Sequence, residues 1–138
     1  MKNCVLSIDV LCETVYRVEG SCGDANMVLF SGKAEHPNFT GVVLPGGCDT
    51  QKRDGNTVSM SARYMLQGKD CDGQDCHIFI ENNGSFLLPP TDAIIKTVPT
   101  VRTDSKALAW LETAVLSGTV TPKGENRVFI EIFAEDEK

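Results

Sequence analysis

Side chains able to bind or protonate a small molecule are concentrated in one stretch of the chain, Leu44 to Gln67. Asp49 follows a Gly46-Gly47 corner, and Arg63 stands beside Tyr64 in an alternating run. A carboxylate in a partly apolar pocket has a raised pKa and can exchange protons near neutrality. A guanidinium can hold a carboxylate through two hydrogen bonds or stabilise a developing oxyanion. The stretch therefore predicts an acid–base group at Asp49 or a ligand anchor at Arg63.

The partner of Arg63 decides whether this residue is structural or anchors a ligand. Asp49, Glu81 and Glu131 are the candidate carboxylates within the chain. If Arg63 is paired with one of them, its role is structural. If it is incompletely paired, it is free to anchor a ligand.

Other kinds of site are poorly supported. The sequence has no phosphate-binding glycine loop, dinucleotide fingerprint or nucleophile elbow. Cys71, Cys76 and His77, with Cys22 or His36, could be assembled into a metal site, but their spacing does not fit a zinc knuckle. We therefore expect no metal and no cofactor. A disulfide between Cys71 and Cys76 is an alternative to free thiols.

Composition limits the class of protein. The chain has 138 residues and a formal net charge of −6, with no basic stripe, so nucleic acid is not an expected partner. No apolar run approaches the roughly 20 residues of a membrane span, and the interrupted N-terminal stretch does not resemble a signal peptide. We expect one cytoplasmic domain over residues 1–138, with reduced thiols and no membrane partner.

The elements that would position these side chains are strands, because the apolar residues recur with a period of two. Between the strands lie turn signals such as Asp54-Gly55 and Asp72-Gly73. One short helix is predicted near residues 104–112, with Asp104 or Ser105 as its cap. The sequence thus predicts an all-β fold, a single antiparallel β-barrel of about eight or more strands. The candidate strands are Leu6–Val10, Met27–Lys33, Phe39–Leu44, Thr57–Gln67, Cys76–Asn82, Ala93–Thr103, Glu112–Thr121 and Asn126–Ala134.

Each strand has an aliphatic face and a mixed face. Tyr64 falls on the aliphatic face, where its hydroxyl should reach a partner at the rim. One interpretation buries the aliphatic face and exposes the mixed one to solvent. The other makes the mixed face the lining of a ligand cavity. The mixed face carries Arg63, His77, Phe79, Glu81, Arg127, Phe129, Glu131 and Phe133.

The order of several motifs resembles the bacterial and fungal family catalogued as domain of unknown function 3237. These are Gly46-Gly47-Cys48-Asp49, Arg63-Tyr64 and Trp110-Leu111, with the Asp-Gly turns at 54–55 and 72–73 and the turn at 82–84. The resemblance covers roughly residues 30 to 134. It implies a β-barrel, often self-associating, in which Asp49, Arg63, Tyr64 and Trp110 are the matching polar and aromatic positions. Thr50 stands where the family usually has tryptophan, which implies a different or smaller ligand.

These observations lead to three hypotheses of function. The first is a barrel that binds a small polar or acidic organic molecule inside, through Arg63, Tyr64, His77, Phe79, Phe129, Glu131 and Trp110. The second is a cofactor-independent isomerase, hydratase or lactone hydrolase that uses Asp49 or Glu81 with Arg63. The third is a self-associating structural protein with a filled barrel. A homodimer is expected because the aliphatic faces exceed what one short helix can cover.

Overall fold

The computed structural model describes residues 2–90 and 93–135. Within these ranges nine strands form one antiparallel sheet, and one 3₁₀ turn spans Ala109–Glu112. The strands are β1 (Lys2–Gly20), β2 (Gly23–His36), β3 (Phe39–Val43), β4 (Cys48–Asp54), β5 (Thr57–Asp70), β6 (Asp75–Leu87), β7 (Ile95–Thr103), β8 (Leu116–Gly124) and β9 (Arg127–Glu135).

The sheet closes on itself, because β1 pairs with both β2 and β9. Two short strands share one position in the ring. β3 pairs with one end of β2 and β5, and β4 pairs with the other end of the same two strands. The predicted all-β antiparallel barrel is confirmed. Strand β4 is an addition, since the sequence predicted only a glycine-rich corner there.

One half of the barrel is packed solid, and we call it the filled half. It is formed by the largest fully buried side chains, which are Leu6, Ile8, Phe39, Leu66, Ile78, Ile80, Leu108, Leu111 and Ile132. Leu108 and Leu111 come from the segment around the 3₁₀ turn and close this end of the barrel. The predicted helix near residues 104–112 is therefore shorter than expected. The prediction that Asp104 or Ser105 caps it is wrong, because the N-cap of the 3₁₀ turn is Leu108, which makes no side-chain capping hydrogen bond. The Ser105 Oγ instead accepts a hydrogen bond from the Leu108 amide at 3.2 Å, in the bend that leads into the turn.

The turn that joins β5 to β6 at the filled end is held by Asp70. Its Oδ1 accepts hydrogen bonds from the backbone amides of Asp72 and Gln74 at 2.9 and 3.1 Å. Its Oδ2 accepts the Ser105 hydroxyl at 2.6 Å. Gly73 takes a φ of +75°, which a side chain rarely permits. These donors lower the pKa of the Asp70 carboxyl.

Of the two interpretations of the strand faces, the one that buries the aliphatic face and exposes the mixed face is confirmed. The alternative, in which the mixed face lines a ligand cavity, is wrong. The aliphatic positions of all the long strands point inward, because closing the sheet buries one whole face and aliphatic side chains gain most from burial. The reason given for a homodimer also disappears, since the closed barrel itself covers the aliphatic faces. Self-association stays a prediction.

Within residues 2–90 and 93–135, no helix is long and apolar enough to span a lipid bilayer. All six cysteines lie in these ranges, and all six are free thiols in the structure, including Cys71 and Cys76.

Candidate ligand site

The other half of the barrel encloses a cavity of about 170 Å³, and we call it the hollow half. It is bounded by inward positions on β1, β2 and β4 through β9. The cavity is lined by Val10, Cys12, Val28, Phe30, Asp49, Gln51, Met60, Ala62, Asn82, Ile95, Thr97, Val120, Pro122, Val128 and Ile130. Most of these side chains are apolar, so the few polar ones determine what the cavity can bind.

Two polar residues face the cavity from one row of the sheet. Asp49 on β4 lies opposite Ala62 on β5, and Ala62 lies opposite Asn82 on β6. Antiparallel partners point to the same face, so all three side chains project inward. The methyl group of Ala62 leaves open space between the two polar groups. This small residue is one reason why the hollow half is not filled.

Thr97 reaches the cavity between two glycines. It lies opposite Gly84 on β6 and Gly118 on β8. A Cβ at Gly118 would stand 2.5 Å from the Thr97 Oγ1 and 3.6 Å from the Asn82 Oδ1. Gly118 therefore lies beside both polar groups, and any larger residue there would displace the Thr97 hydroxyl.

Among the residues that the structure describes, four buried side-chain oxygens have no hydrogen-bond partner. Three of them line the cavity: Asp49 Oδ1, Asn82 Oδ1 and Thr97 Oγ1. Such an orphaned atom costs about 1–3 kcal/mol of stability. The fourth is the Tyr64 hydroxyl, which contradicts the expectation of a rim partner. Tyr64 lies on the aliphatic face as predicted, and its ring packs edge-on against Phe30.

The Asp49 carboxyl is poorly solvated. Burial raises its pKa, while hydrogen bonds from the Gln51 side chain and the Ser61 backbone partly oppose the shift. The Gln51 Nε2 donates to the Asp49 Oδ2 at 3.0 Å. Within residues 2–90 and 93–135, no donor, the Ser61 amide included, reaches Oδ1 with hydrogen-bond geometry, so this oxygen is open to another donor. Burial and the nearby Asp49 charge also raise the pKa of the Cys12 and Cys48 thiols. Both thiols are therefore weak nucleophiles.

Arg63, the predicted anchor, lies outside the barrel. Its Nε donates to the Glu81 Oε2 at 2.9 Å, and the two residues are directly opposite each other on β5 and β6. The Arg63 side chain is 66 % exposed. This is a surface ion pair, worth about 0–1 kcal/mol. Of the three candidate partners, Glu81 is the one that Arg63 contacts, and neither residue faces the cavity.

The other predicted ligand-binding residues on the mixed face also lie away from the cavity. His77 Nδ1 is 3.1 Å from the Asp104 Oδ2, and this contact ties β6 to the loop after β7. The ammonium of Lys123 lies over the Phe129 ring at 5.3 Å. Phe79 on β6 and Glu131 on β9 alternate with buried inward residues and therefore point to the outside of the barrel. Trp110 is exposed on the 3₁₀ turn.

The structure thus brings Asp49 to the cavity but leaves Glu81, Arg63 and the mixed-face residues outside. Sequence reasoning missed Asn82 and Thr97, which are 3 % and 6 % exposed. A usable signal was present, because Asn82 continues the inward series of Ile78 and Ile80. A polar residue in phase with buried aliphatic ones has to find a hydrogen-bond partner.

No group of three or more histidine, cysteine, aspartate or glutamate side chains in the described ranges is arranged to hold a metal ion.

Comparison with known sequences identifies a family. The model of the family DUF3237, which is described as a protein of unknown function, matches residues 4–134 of this chain. A curated UPF0311 protein of Clostridium acetobutylicum is 34 % identical over 98 residues, which are 60 % of this chain. The match likewise spans 60 % of that relative's length.

Solved structures share the fold over nearly the whole chain. A protein of unknown function from Clostridium acetobutylicum has a TM-score of 0.84 at 26 % identity, with 99 % of both chains covered. A β-barrel-like protein from Acinetobacter baumannii has a TM-score of 0.78 at 18 % identity, covering 97 % of this chain and 94 % of that one. An enzyme from Penicillium herquei has a TM-score of 0.62 at 20 % identity, covering 99 % and 94 %.

Proposed function

The chain belongs to the DUF3237 family of proteins of unknown function, and for this member we propose that the cavity of the hollow half binds one small, largely apolar molecule. Ligand sites are concave and mainly apolar, with a few convergent polar groups. The cavity has this character, with Asp49, Gln51, Asn82 and Thr97 as its polar residues. Asp49, Asn82 and Thr97 each carry an oxygen without a partner in the described part of the chain. Its volume of about 170 Å³ suits a molecule of one ring, since a cavity of about 150 Å³ holds benzene.

The observation that carries the proposal is the set of orphaned oxygens on the cavity wall. In a barrel built only for stability, these inward positions would be aliphatic, as they are in the filled half. A bound molecule with matching polar groups would offset their cost. The same observation disfavours a purely structural protein, for which the sequence had suggested a filled barrel.

A variant that fills the cavity tests the proposal. Ala62→Leu places a larger side chain between Asp49 and Asn82, so we expect it to fold and to lose ligand binding. The matched control is Ala109→Leu, the same change at an exposed position on the 3₁₀ turn. Binding of neutral one-ring fragments is measured from the methyl NMR signals of Val10, Val28 and Val120, which line the cavity.

We expect fragments to shift these methyl signals in the wild type and in Ala109→Leu, but not in Ala62→Leu. The signals of Leu6 and Leu66 in the filled half should stay in place. If no fragment shifts the cavity methyls of the wild type, or if Ala62→Leu responds as the wild type does, the cavity is not a ligand site.

A second candidate function is proton-transfer catalysis on the bound molecule. It is favoured by the Asp49 carboxyl, which has a raised pKa and an oxygen directed into an apolar cavity. Glu81 does not fit this role, because it is paired with Arg63 outside. If Asp49 is the base, Asp49→Asn abolishes turnover of any substrate found, while Glu81→Gln leaves it unchanged. Full turnover by Asp49→Asn would eliminate the candidate.

We also propose a reducing compartment such as the cytoplasm for this protein. Six free thiols in one small barrel are consistent with such a compartment.

A further inference from the structure

Two of the three orphaned atoms of the cavity are acceptors only. Asp49 Oδ1 and Asn82 Oδ1 accept hydrogen bonds, and the Thr97 hydroxyl can either accept or donate. A ligand complements this set only if it carries a hydrogen on oxygen or nitrogen. A ligand that carries only acceptors satisfies the Thr97 hydroxyl at most, and leaves the other two oxygens buried without partners.

The positions of these atoms define where the donor of a ligand belongs. Asp49 and Asn82 are two strands apart in one row, which corresponds to roughly 10 Å between their backbones. Ala62 keeps the space between them open. The Asn82 Oδ1 and the Thr97 Oγ1 both lie beside Gly118. A hydroxyl group near Gly118 could donate to Asn82 and accept from Thr97, while its hydrocarbon body contacts the valines of the wall.

The charge of the cavity excludes an anionic ligand. Among the described residues that line the cavity, none is lysine, arginine or histidine, and Asp49 supplies a negative charge. Arg17 on β1 and Arg53 on β4 occupy inward positions beyond the residues that line the cavity. Both are paired with Asp24, whose Oδ2 lies 2.9 Å from the Arg17 Nη2 and 3.9 Å from the Arg53 Nη1. A buried carboxylate ligand would therefore meet a like charge without a compensating cation.

We propose that the cavity selects a neutral or cationic small molecule with at least one O–H or N–H donor on an apolar body, and that it rejects carboxylates and donor-free molecules of the same size. This inference rests on the proposed function. The sequence led to the hypothesis of a polar or acidic ligand, and the inference removes the acidic alternative, which depended on Arg63 facing inward.

Matched cyclohexyl compounds test the inference, read from the same cavity methyl signals at neutral pH. Cyclohexanol and cyclohexanone have nearly the same shape and are both uncharged, but only the alcohol carries a donor. We expect cyclohexanol to bind roughly tenfold more tightly, as one additional satisfied hydrogen bond predicts. Cyclohexylammonium should also bind, and cyclohexanecarboxylate should give no saturable shift.

Variants assign the preference to the acceptors. Asn82→Leu removes an acceptor oxygen, and Asp49→Asn removes the negative charge of another. We expect Asn82→Leu to bring the affinities for cyclohexanol and cyclohexanone within about twofold, and Asp49→Asn to weaken cyclohexylammonium selectively. Asp49→Asn keeps the shape of the side chain, so the affinities of this variant can be measured even if Asn82→Leu fails to fold. The matched control is Arg63→Gln on the outer face, which should leave every affinity unchanged.

The outcomes separate the two proposals. If cyclohexanone or the carboxylate binds in the cavity as tightly as cyclohexanol, the donor rule fails and the ligand site stands. If the cyclohexyl series does not bind, the same comparison is made between donor-bearing and donor-free binders of the neutral fragment set. If no fragment binds at all, the proposed function fails and the inference fails with it.

Discussion

The two halves of this barrel are built from the same strands with different side chains. On β9, Ile132 belongs to the filled half, while Ile130 and Val128 line the cavity two and four residues away. The filled half uses large aliphatic and aromatic residues at its inward positions. The hollow half is also mainly apolar, but it adds a few polar residues beside Ala62, Gly84 and Gly118. Close packing in the filled half therefore stabilises the fold. The open space and the buried polar groups of the hollow half cost stability.

The largest expected difference between the halves is the cost of removing a side chain. Ile132→Ala removes a fully buried side chain from the filled half and should cost about 2–5 kcal/mol of the free energy of unfolding. Ile130→Ala makes the same change at a wall of the cavity, where the side chain already lacks neighbours on one side. We expect it to cost clearly less, because fewer dispersion contacts are lost.

Urea unfolding measures both variants, and the slope of the transition checks that each remains two-state. Equal losses at the two positions would mean that the cavity collapses or is filled in solution. In that event the division of the barrel into two halves would be wrong.

The strands of both halves could be predicted from the sequence, because alternation is a local property. The alternation of Ile78 and Ile80 with Phe79 places β6, and the Asp54-Gly55 turn joins β4 to β5 as the glycine predicts. Strand β4 itself was missed, since its polar sequence, with Asp49 and Gln51 inward, gives no aliphatic alternation. Its position depends on pairing with β2 and β5, which are distant in the sequence.

The face that points inward could not be predicted from the alternation alone. Both interpretations of the two faces fit the same period, and the choice depends on closure of the ring. Arg63 looked like an anchor because its partner was unknown until β5 and β6 were in register. Asn82 and Thr97 carry no charge and no ring, so residue type alone does not distinguish them from polar surface residues. Only their place among inward aliphatic residues does so.

The two partly or fully buried aspartates provide a subtler comparison of the halves. Asp70 at the filled end accepts two backbone amides and the Ser105 hydroxyl, and its pKa is lowered below the ordinary 3.8. Asp49 in the hollow half has an oxygen without a partner, and its pKa is raised above 3.8. Their asparagine variants should therefore shift stability in opposite directions.

For Asp49, the folded protein binds the proton more tightly than the unfolded chain does, so stability falls as pH rises from 3.8 through the folded pKa. Asp49→Asn removes this loss and should raise the melting temperature at about pH 7, with the gain fading in acid.

For Asp70, stability is present above 3.8 and is lost as pH falls through its lowered pKa. Asp70→Asn should therefore lower the melting temperature at about pH 7, and this deficit should also fade in acid. Both predictions are checked by melting curves of the variants and the wild type from acid to about pH 7, with Arg63→Gln as the surface control. A destabilised Asp49→Asn at neutral pH would mean that Oδ1 of the carboxylate has a donor in the folded protein, in addition to the Gln51 donor of Oδ2. The case for an unsatisfied acceptor in the hollow half would then fail.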